Sequence, residues 1–346
     1  MRPPGFWHLP PQSPGWRARL LSPIGSLSAR ITARRLRRPG YRANVPVICV
    51  GNISLGGTGK TPTVIALLER LGDAGVDAHV VSRGYGGSET GPLRVDPARH
   101  NAERVGDEPL MLASLGTVWV ARERHLGVRS AERGGAQAVL LDDGMQNPSI
   151  EKSASIVVVD ADVAFGNGRV VPAGPLREPV SAGLSRADAL LSIGDEEAHR
   201  RFVGAWGDVV PVPIARGELR PLLTGLDLTD QRVLAFAGIG RPQKFFSTLR
   251  GLGAELVRAE ALDDHQPLRE SLLKRLLSDA TALGAQLVTT EKDAARLSPA
   301  FRRNVLTLPV RLELEDWSPI DAVLARAGLN GLAGSRPKAT GSLSGR

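Results

Sequence analysis

The stretch SLGGTGKTPTV, residues 54–64, decides the fold. The usual phosphate-loop spelling is a glycine, four residues, then GK followed by serine or threonine, and here Ser54 stands where the first glycine belongs. Whether the loop is a working nucleotide site depends on its flanks. Upstream, VPVICV (45–50) is a near-continuous apolar run of the kind a buried parallel strand shows. Downstream of Lys60, TPTVIALLERLGDAG places Ile65, Leu68 and Leu71 at helical spacing, with Gly72 or Gly75 available to end the helix. Strand, glycine loop and helix is the context that the motif requires.

In such a loop Gly56, Gly57 and Gly59 let the backbone bend so that its amides, with the helix N-terminus behind them, converge on phosphate oxygens. Lys60 would lie against the β and γ phosphates of a nucleotide, and Thr61 would offer its hydroxyl to Mg2+. The run Ser54, Leu55, Gly56, Gly57, Thr58, Gly59, Lys60 and Thr61 is therefore the candidate nucleotide site. The competing reading is a glycine-rich strand-to-helix turn with an accidental GKT.

A chain of 346 residues can bury a substantial core, as two domains or one large α/β unit. Its one cysteine, Cys49, lies in the apolar run before the loop, so no intrachain disulfide forms and a reducing compartment fits. The net charge of +8 is local. Residues 1–46 hold nine arginines and no acid; the remainder carries 35 basic against 36 acidic side chains, which is close to neutral. Within that segment Leu20, Ile24, Leu27 and Ile31 recur at helical steps, with Phe6, Trp7 and Trp16 upstream and arginines around the stripe. This pattern matches an amphipathic helix lying in an anionic membrane surface. Packing on the chain's own domain, an RNA-binding arm and a disordered leader are the other readings, and Pro23 and Gly25 count against one uninterrupted helix. No run is apolar for long enough to span a bilayer.

Beyond the loop helix, strand-like runs (AHVVSR, TVWVA, QAVLLDDG, SIVVVD) alternate with helical ones, which predicts a P-loop NTPase-like parallel sheet flanked by helices. GNGRVVPAGPLREP (166–179) is too rich in glycine and proline for a regular element and reads as an ordered loop. RVLAFAG, AELVRA and QLVTT, each followed by a helical pattern, predict a second, smaller α/β lobe. The expected divisions are a basic membrane-associating segment over 1–44, a P-loop core over 45–214, the smaller lobe over 215–330 and a flexible tail over 331–346.

Phosphoryl transfer needs carboxylates for magnesium and a group that orients or deprotonates the acceptor. Asp142 and Asp143 end an apolar strand, where adjacent carboxylates repel unless a cation is near, although a solvated DDG turn reads the same way. Asp107 and Glu108 in VGDEP are a second acidic pair, and the first turn of a helix also favours acids. His265, in LDDHQP, lies among acids that could fix its tautomer, as a general base requires. Arg177 and Lys292 are candidate phosphate partners or surface charges.

These stretches, with SRGYGG, FAGIGRPQKFF and VTTEKDAARL, together resemble the tetraacyldisaccharide 4'-kinase family of lipid A synthesis over about residues 14–328. That family's loop also carries a small hydroxyl residue at the place of Ser54. The resemblance implies transfer of the γ-phosphate of ATP, with magnesium, to the 4'-hydroxyl of a membrane-embedded tetraacyldisaccharide 1-phosphate. It implies a peripheral enzyme on the cytoplasmic face of the inner membrane, on an anionic surface and with no nucleic acid partner. Carried over by motif, Asp107 and His265 would together activate the acceptor hydroxyl, and Lys60 and Thr61 would hold phosphates and metal. Asp142, Asp143 and Glu108 are the metal or acceptor-positioning carboxylates, and Arg177 a phosphate or lipid contact. The family usually reads LDDGFQH where this chain has Met145 and Asn147, and often has a second histidine where Gln266 stands. Two other classes would use the same loop differently. A P-loop switch or metallochaperone would turn over nucleotide without an acceptor, and a binding module would hold nucleic acid by its arginine arm.

Overall fold

The computed structural model describes residues 4–222, 225, 227–264 and 266–331. His265 and, from residue 332, the expected tail lie outside the described residues. In chain order the strands are β1 (Val47–Gly51), β2 (Ala78–Ser82), β3 (Leu93–Arg94), β4 (Val118–Val120), β5 (Ala138–Asp142), β6 (Ala154–Asp160), β7 (Ala189–Ile193) and β8 (Ile214–Pro221). They continue with β9 (Arg232–Ala237), β10 (Glu255–Ala261), β11 (Gln286–Thr290), β12 (Leu306–Leu308) and β13 (Val310–Leu314).

The larger sheet runs β13-β8-β7-β6-β1-β5-β2-β4-β3, parallel throughout except for its antiparallel edges β13 and β3. Every residue of β1, β2, β5, β6 and β7 is buried, which is why these strands read as continuous apolar runs. Alternate side chains serve opposite faces. Ile48 and Val50 pack with Val64, Leu67 and Leu71 of the helix Lys60–Asp73 and with Val323 and Leu324 of the helix Ser318–Arg326. Cys49, on the other face, shares a core with Val157, Leu190 and Phe202 of the helix Glu196–Trp206. From β1 the chain builds one side of the sheet and then crosses to the other at β6, so the loop after β1 opens at a topological switch point, where open α/β sheets bind ligands.

The smaller sheet, β10-β9-β11-β12, is wholly parallel, with the helices Pro242–Gly251 and Glu270–Ala282 on opposite faces. Its strands occupy residues 232–308. The lobe expected over 215–330 gives up both its ends, because β13 pairs with β8, Val310 opposite Pro221, inside the larger sheet, and the helix Ser318–Arg326 packs there too. That pairing joins segments far apart in sequence, which local periodicity cannot reveal.

The N-terminal helix is one uninterrupted element, Gly15–Leu36, with Pro23 inside it. It turns Ala18 and Gly25 inward and docks on the 166–179 loop: Arg169 Nη1 donates to Ser22 Oγ at 3.0 Å, and Trp7 Nε1 to the Pro172 carbonyl at 3.1 Å. The apolar stripe faces away from the protein, with Trp16, Leu20, Ile24, Leu27 and Ile31 each 54–70 % exposed. The stripe does not pack on the chain's own domain. Among the described residues no helix is long and apolar enough to cross a membrane.

Candidate functional site

The phosphate loop is held from two sides. Ser54 forms an antiparallel bridge with Leu176, the Leu55 amide donates to the Pro175 carbonyl at 2.8 Å, and the Arg177 amide to the Ile53 carbonyl at 2.7 Å. Its first position is thus paired, extended chain that serine adopts as readily as glycine; left-handed φ values arise only later, at Gly56 (106°) and Gly59 (92°). On the inner side the buried Asn52 donates through Nδ2 to Thr58 Oγ1 at 3.2 Å and to the Gly56 carbonyl at 3.4 Å. Leu55, Gly56 and Gly57 remain exposed at the rim, while Ser54 and Thr58 are buried.

Lys60 opens the helix Lys60–Asp73, with Thr61 next to it, and its Nζ lies 3.9 Å from Asp143 Oδ1. Asp143 has a left-handed backbone (φ 53°), and its carboxylate accepts from Arg177 Nη1 at 3.1 Å. Burial favours protonation of Asp143, but Lys60 and Arg177 outweigh it and hold the carboxyl below its usual range. The preceding carboxylate behaves in the opposite way. Asp142 is buried at the end of β5; its Oδ2 accepts from Ser82 Oγ at 3.2 Å and its Oδ1 has no hydrogen-bond partner. Burial, followed by the negative charge of Glu108, pushes Asp142 up to about 7.

The facing wall comes from the smaller sheet, whose carboxyl ends point into the same cleft. Gly240 comes against the Gly57 amide of the phosphate loop. Lys292 Nζ lies 3.3 Å from Glu108 Oε1 and 3.7 Å from Asp264 Oδ1. Burial alone would lower the Lys292 pKa, but the Glu108, Asp107 and Asp264 carboxylates raise it, so the ammonium stays charged. Asp107 is buried, caps the amide of Glu108 at 2.9 Å, and faces Arg296 Nε at 3.9 Å. At the other end of the cleft Asp160 accepts from Arg241 Nη1 at 2.5 Å and Lys244 Nζ at 3.1 Å. The structure therefore brings Lys60, Thr61, Asp142, Asp143 and Arg177 together on one wall, with Asp107 and Glu108 meeting the second lobe. His265 lies outside the described residues.

Sequence reasoning missed the groups that hold this arrangement. Glu178, buried in the loop after Arg177, accepts from Arg186 Nη2 at 2.9 Å and Gln146 Nε2 at 2.8 Å. Gln146 in turn donates to the Asn52 carbonyl at 2.9 Å and accepts from Arg177 Nη1 at 3.2 Å, so a continuous polar chain runs from Glu178 to the phosphate loop. Arg124, also buried, donates to the Asp143 carbonyl at 3.2 Å. The one sequence signal was a charged residue, Glu178, inside a glycine- and proline-rich loop. The departures from the family spelling are structural: Met145 packs in the core with Cys49 and Ile53, and Asn147 closes a turn by accepting from the Ser149 amide at 2.7 Å. Gln266 likewise closes its own turn, accepting from the Asp263 amide at 3.0 Å.

A glycine-rich loop and lysine at the carboxyl end of one parallel sheet, faced by Lys292 and Arg296 from the carboxyl end of a second across buried carboxylates, is the arrangement of a P-loop kinase. The family model described as Tetraacyldisaccharide-1-P 4'-kinase (LpxK) matches residues 17–328, and the chain belongs to that family. It is 60% identical to the tetraacyldisaccharide 4'-kinase of Dinoroseobacter shibae over 94% of this chain and 97% of the relative. To that of Rhodospirillum centenum it is 49% identical, over 94% of this chain and 96% of the relative. The crystal structure of LpxK from Aquifex aeolicus in complex with ATP superposes with a TM-score of 0.70 at 26% identity, covering 90% of this chain and 99% of that one. The fold, the α/β class and the kinase activity follow the sequence-based expectation.

The Asp142 environment yields a test with a defined sign. Its folded-state pKa is raised to about 7, above that of an unfolded carboxyl, so the stability this group contributes at low pH is lost as pH rises through about 7. Asp142→Asn should therefore raise the thermal midpoint of the nucleotide-free protein at about pH 8, with the gain shrinking at about pH 6, while turnover is lost. Calorimetry across that range checks it; a gain independent of pH would contradict the assignment.

Proposed function

We propose that the chain transfers the γ-phosphate of ATP to the 4'-hydroxyl of tetraacyldisaccharide 1-phosphate, giving lipid IVA, while resting on the cytoplasmic face of the inner membrane. The observation that carries this reading is the phosphate cradle around Lys60 together with the buried Asp107, which stands at the seam between the lobes and faces Arg296 of the smaller one. In this mechanism the loop amides from Gly56 to Gly59 and the Lys60 ammonium bind the β and γ phosphates and offset the charge that spreads over the transferred group. Asp143, held by Arg177, fixes the lysine when nucleotide is absent and releases it to the phosphates. Asp107, paired with His265 by motif, accepts the proton of the 4'-hydroxyl as the oxygen attacks phosphorus.

The residues fit a magnesium ion. Thr61 and Asp142 are hard oxygen donors, and the buried Oδ1 of Asp142, lacking a hydrogen bond and set near the Glu108 charge, is the kind of atom a cation would satisfy. Among the described residues no group of three or more His, Cys, Asp or Glu converges as a metal cluster, which suits an ion held largely by phosphates and water. Bound there with ATP, magnesium would neutralise the β- and γ-phosphate oxygens.

The outward stripe of the helix Gly15–Leu36, followed by the exposed Arg34, Arg35, Arg37 and Arg38, supports membrane-surface binding. Apolar side chains would enter the acyl boundary and the arginines would meet anionic head groups. Because the helix docks on the 166–179 loop, which pairs with the phosphate loop, the membrane plane is set at a fixed place relative to the site.

Lys60→Ala should cut transfer of labelled γ-phosphate to the lipid by about 100-fold or more; near-normal rates would remove the loop from the mechanism. Asp107→Ala and His265→Ala should each lower kcat, and the double variant should cost far less than the product of the two, as groups acting as a unit do. Multiplicative losses would argue against a shared role. Replacing Leu20, Ile24 and Leu27 by serine should weaken sedimentation with anionic vesicles while the protein stays folded; unchanged binding would sink the membrane assignment.

A further inference from the structure

A buried ion pair in the smaller lobe remains without a role in the mechanism above. Asp293 is fully buried; its Oδ2 accepts from the Gly238 amide at 3.0 Å and from Thr290 Oγ1 at 2.7 Å, and its Oδ1 pairs with Arg296 Nη2. The other arm of Arg296, Nη1, donates to the Gln266 carbonyl at 2.7 Å. Its Nε is buried, makes no hydrogen bond, and lies 3.9 Å from Asp107 Oδ2 on the opposite wall of the cleft.

The guanidinium thus joins three pieces of chain, and its anchor Asp293 adds a fourth at Gly238. Gly238 follows β9, the Asp263–Gln266 turn follows β10 and Asp293 follows β11, while Asp107 belongs to the other lobe. The turn is closed on itself, with the Gln266 amide donating to the Asp263 carbonyl at 2.9 Å and Gln266 Oε1 accepting from the Asp263 amide at 3.0 Å. Arg296 therefore grips a preformed turn by its last carbonyl, one residue after position 265 in the sequence. Gly238 leaves room for this: a Cβ there would fall 2.8 Å from Arg296 Nη2 and 3.0 Å from Asp293 Oδ1.

Stability alone is a poor reason for this arrangement, since a buried ion pair contributes little over an apolar replacement of the same shape. The rigid fork of a guanidinium suits a different task, setting several partners at fixed mutual positions. An approach of about 1 Å between the walls would turn the Nε–Asp107 ion pair into a charge-assisted hydrogen bond.

We propose that Arg296 is a positioning residue for phosphoryl transfer, anchored by Asp293, which fixes Asp107 against the Gln266 end of the smaller lobe's turn. The inference rests on the reading of Asp107 given above and adds the group that holds that carboxylate in place. Lys60, the phosphate loop and nucleotide affinity lie outside its reach, so its loss should appear in kcat and not in the KM for ATP.

The test is a kinetic cycle on the full-length protein with Mg-ATP and tetraacyldisaccharide 1-phosphate in micelles, each variant first checked for a cooperative thermal transition. Arg296→Gln should lower kcat by about 100-fold, the scale of an ångström-level misplacement, with the KM for ATP nearly unchanged. Placed on Asp107→Asn, the same substitution should lower kcat little further, whereas on Lys60→Ala it should cost its full factor. Arg296→Lys, which keeps the charge but not the fork, should recover only part of the rate. If Arg296→Gln does not fold, Gly238→Ala takes its place; it leaves every charge present, displaces the pair, and should show the same dependence on Asp107. An equal loss in the Asp107→Asn and wild-type backgrounds, or an effect confined to the KM for ATP, overturns the assignment of Arg296 while leaving the acid–histidine reading intact. Full activity of Asp107→Asn itself overturns both.

Discussion

The short pairing of Ser54 and Leu55 with Pro175 and Leu176 is the constraint on which the rest of the site depends. It fixes the entry to the phosphate loop, so that only Gly56 and Gly59 need a left-handed backbone. The same pairing places Arg177 over Asp143 and sets Glu178 beneath Gln146, giving the phosphate-binding wall a polar support from below. At its other end the 166–179 segment holds the N-terminal helix through Arg169, and the turn Gly5–His8 before it through Pro172 and Asn167. One irregular loop therefore links the surface helix to the nucleotide site, and it is ordered because its polar groups are met at both ends.

Electrostatics divide the site into groups that are already charged and one that is not settled. Asp143 lies between Lys60 and Arg177 and stays ionised; Lys292 lies among carboxylates and stays protonated. Asp142 is buried near a like charge with no cation paired to it among the described residues, the condition that a bound cation relieves. Burial has opposite outcomes at neighbouring positions because Asp143, in its left-handed conformation, meets two cations, while Asp142 points into the sheet toward Ser82.

Much of this was legible in the sequence, for identifiable reasons. The parallel core could be read because strands covered on both faces leave unbroken apolar runs, and the phosphate loop because its chemistry needs glycines at fixed offsets. The loop over 166–179 could be recognised as irregular, but its partners could not, since Ser54 meets Leu176 across a long sequence separation. For the same reason the pairing of β8 with β13 was invisible, and the expected limits of the smaller lobe were too wide. Asn52, Gln146 and Arg296 carry no pattern of their own; each is an ordinary polar residue until the fold supplies its neighbours. The solvent-facing stripe of the first helix was the converse case, since periodicity gave the face but only packing showed that Ala18 and Gly25, not the leucines, turn inward.

The central claim is that the cleft commits the γ-phosphate to a lipid hydroxyl and not to water. The most direct measurement is the ratio of ATP consumed to lipid phosphorylated, taken in one sample with tetraacyldisaccharide 1-phosphate in micelles and again without it. The account predicts one phosphate on the 4' position for each ATP consumed, with turnover nearly absent when the lipid is omitted. ATP consumption at the same rate in both samples, with no phosphorylated lipid formed, would contradict it.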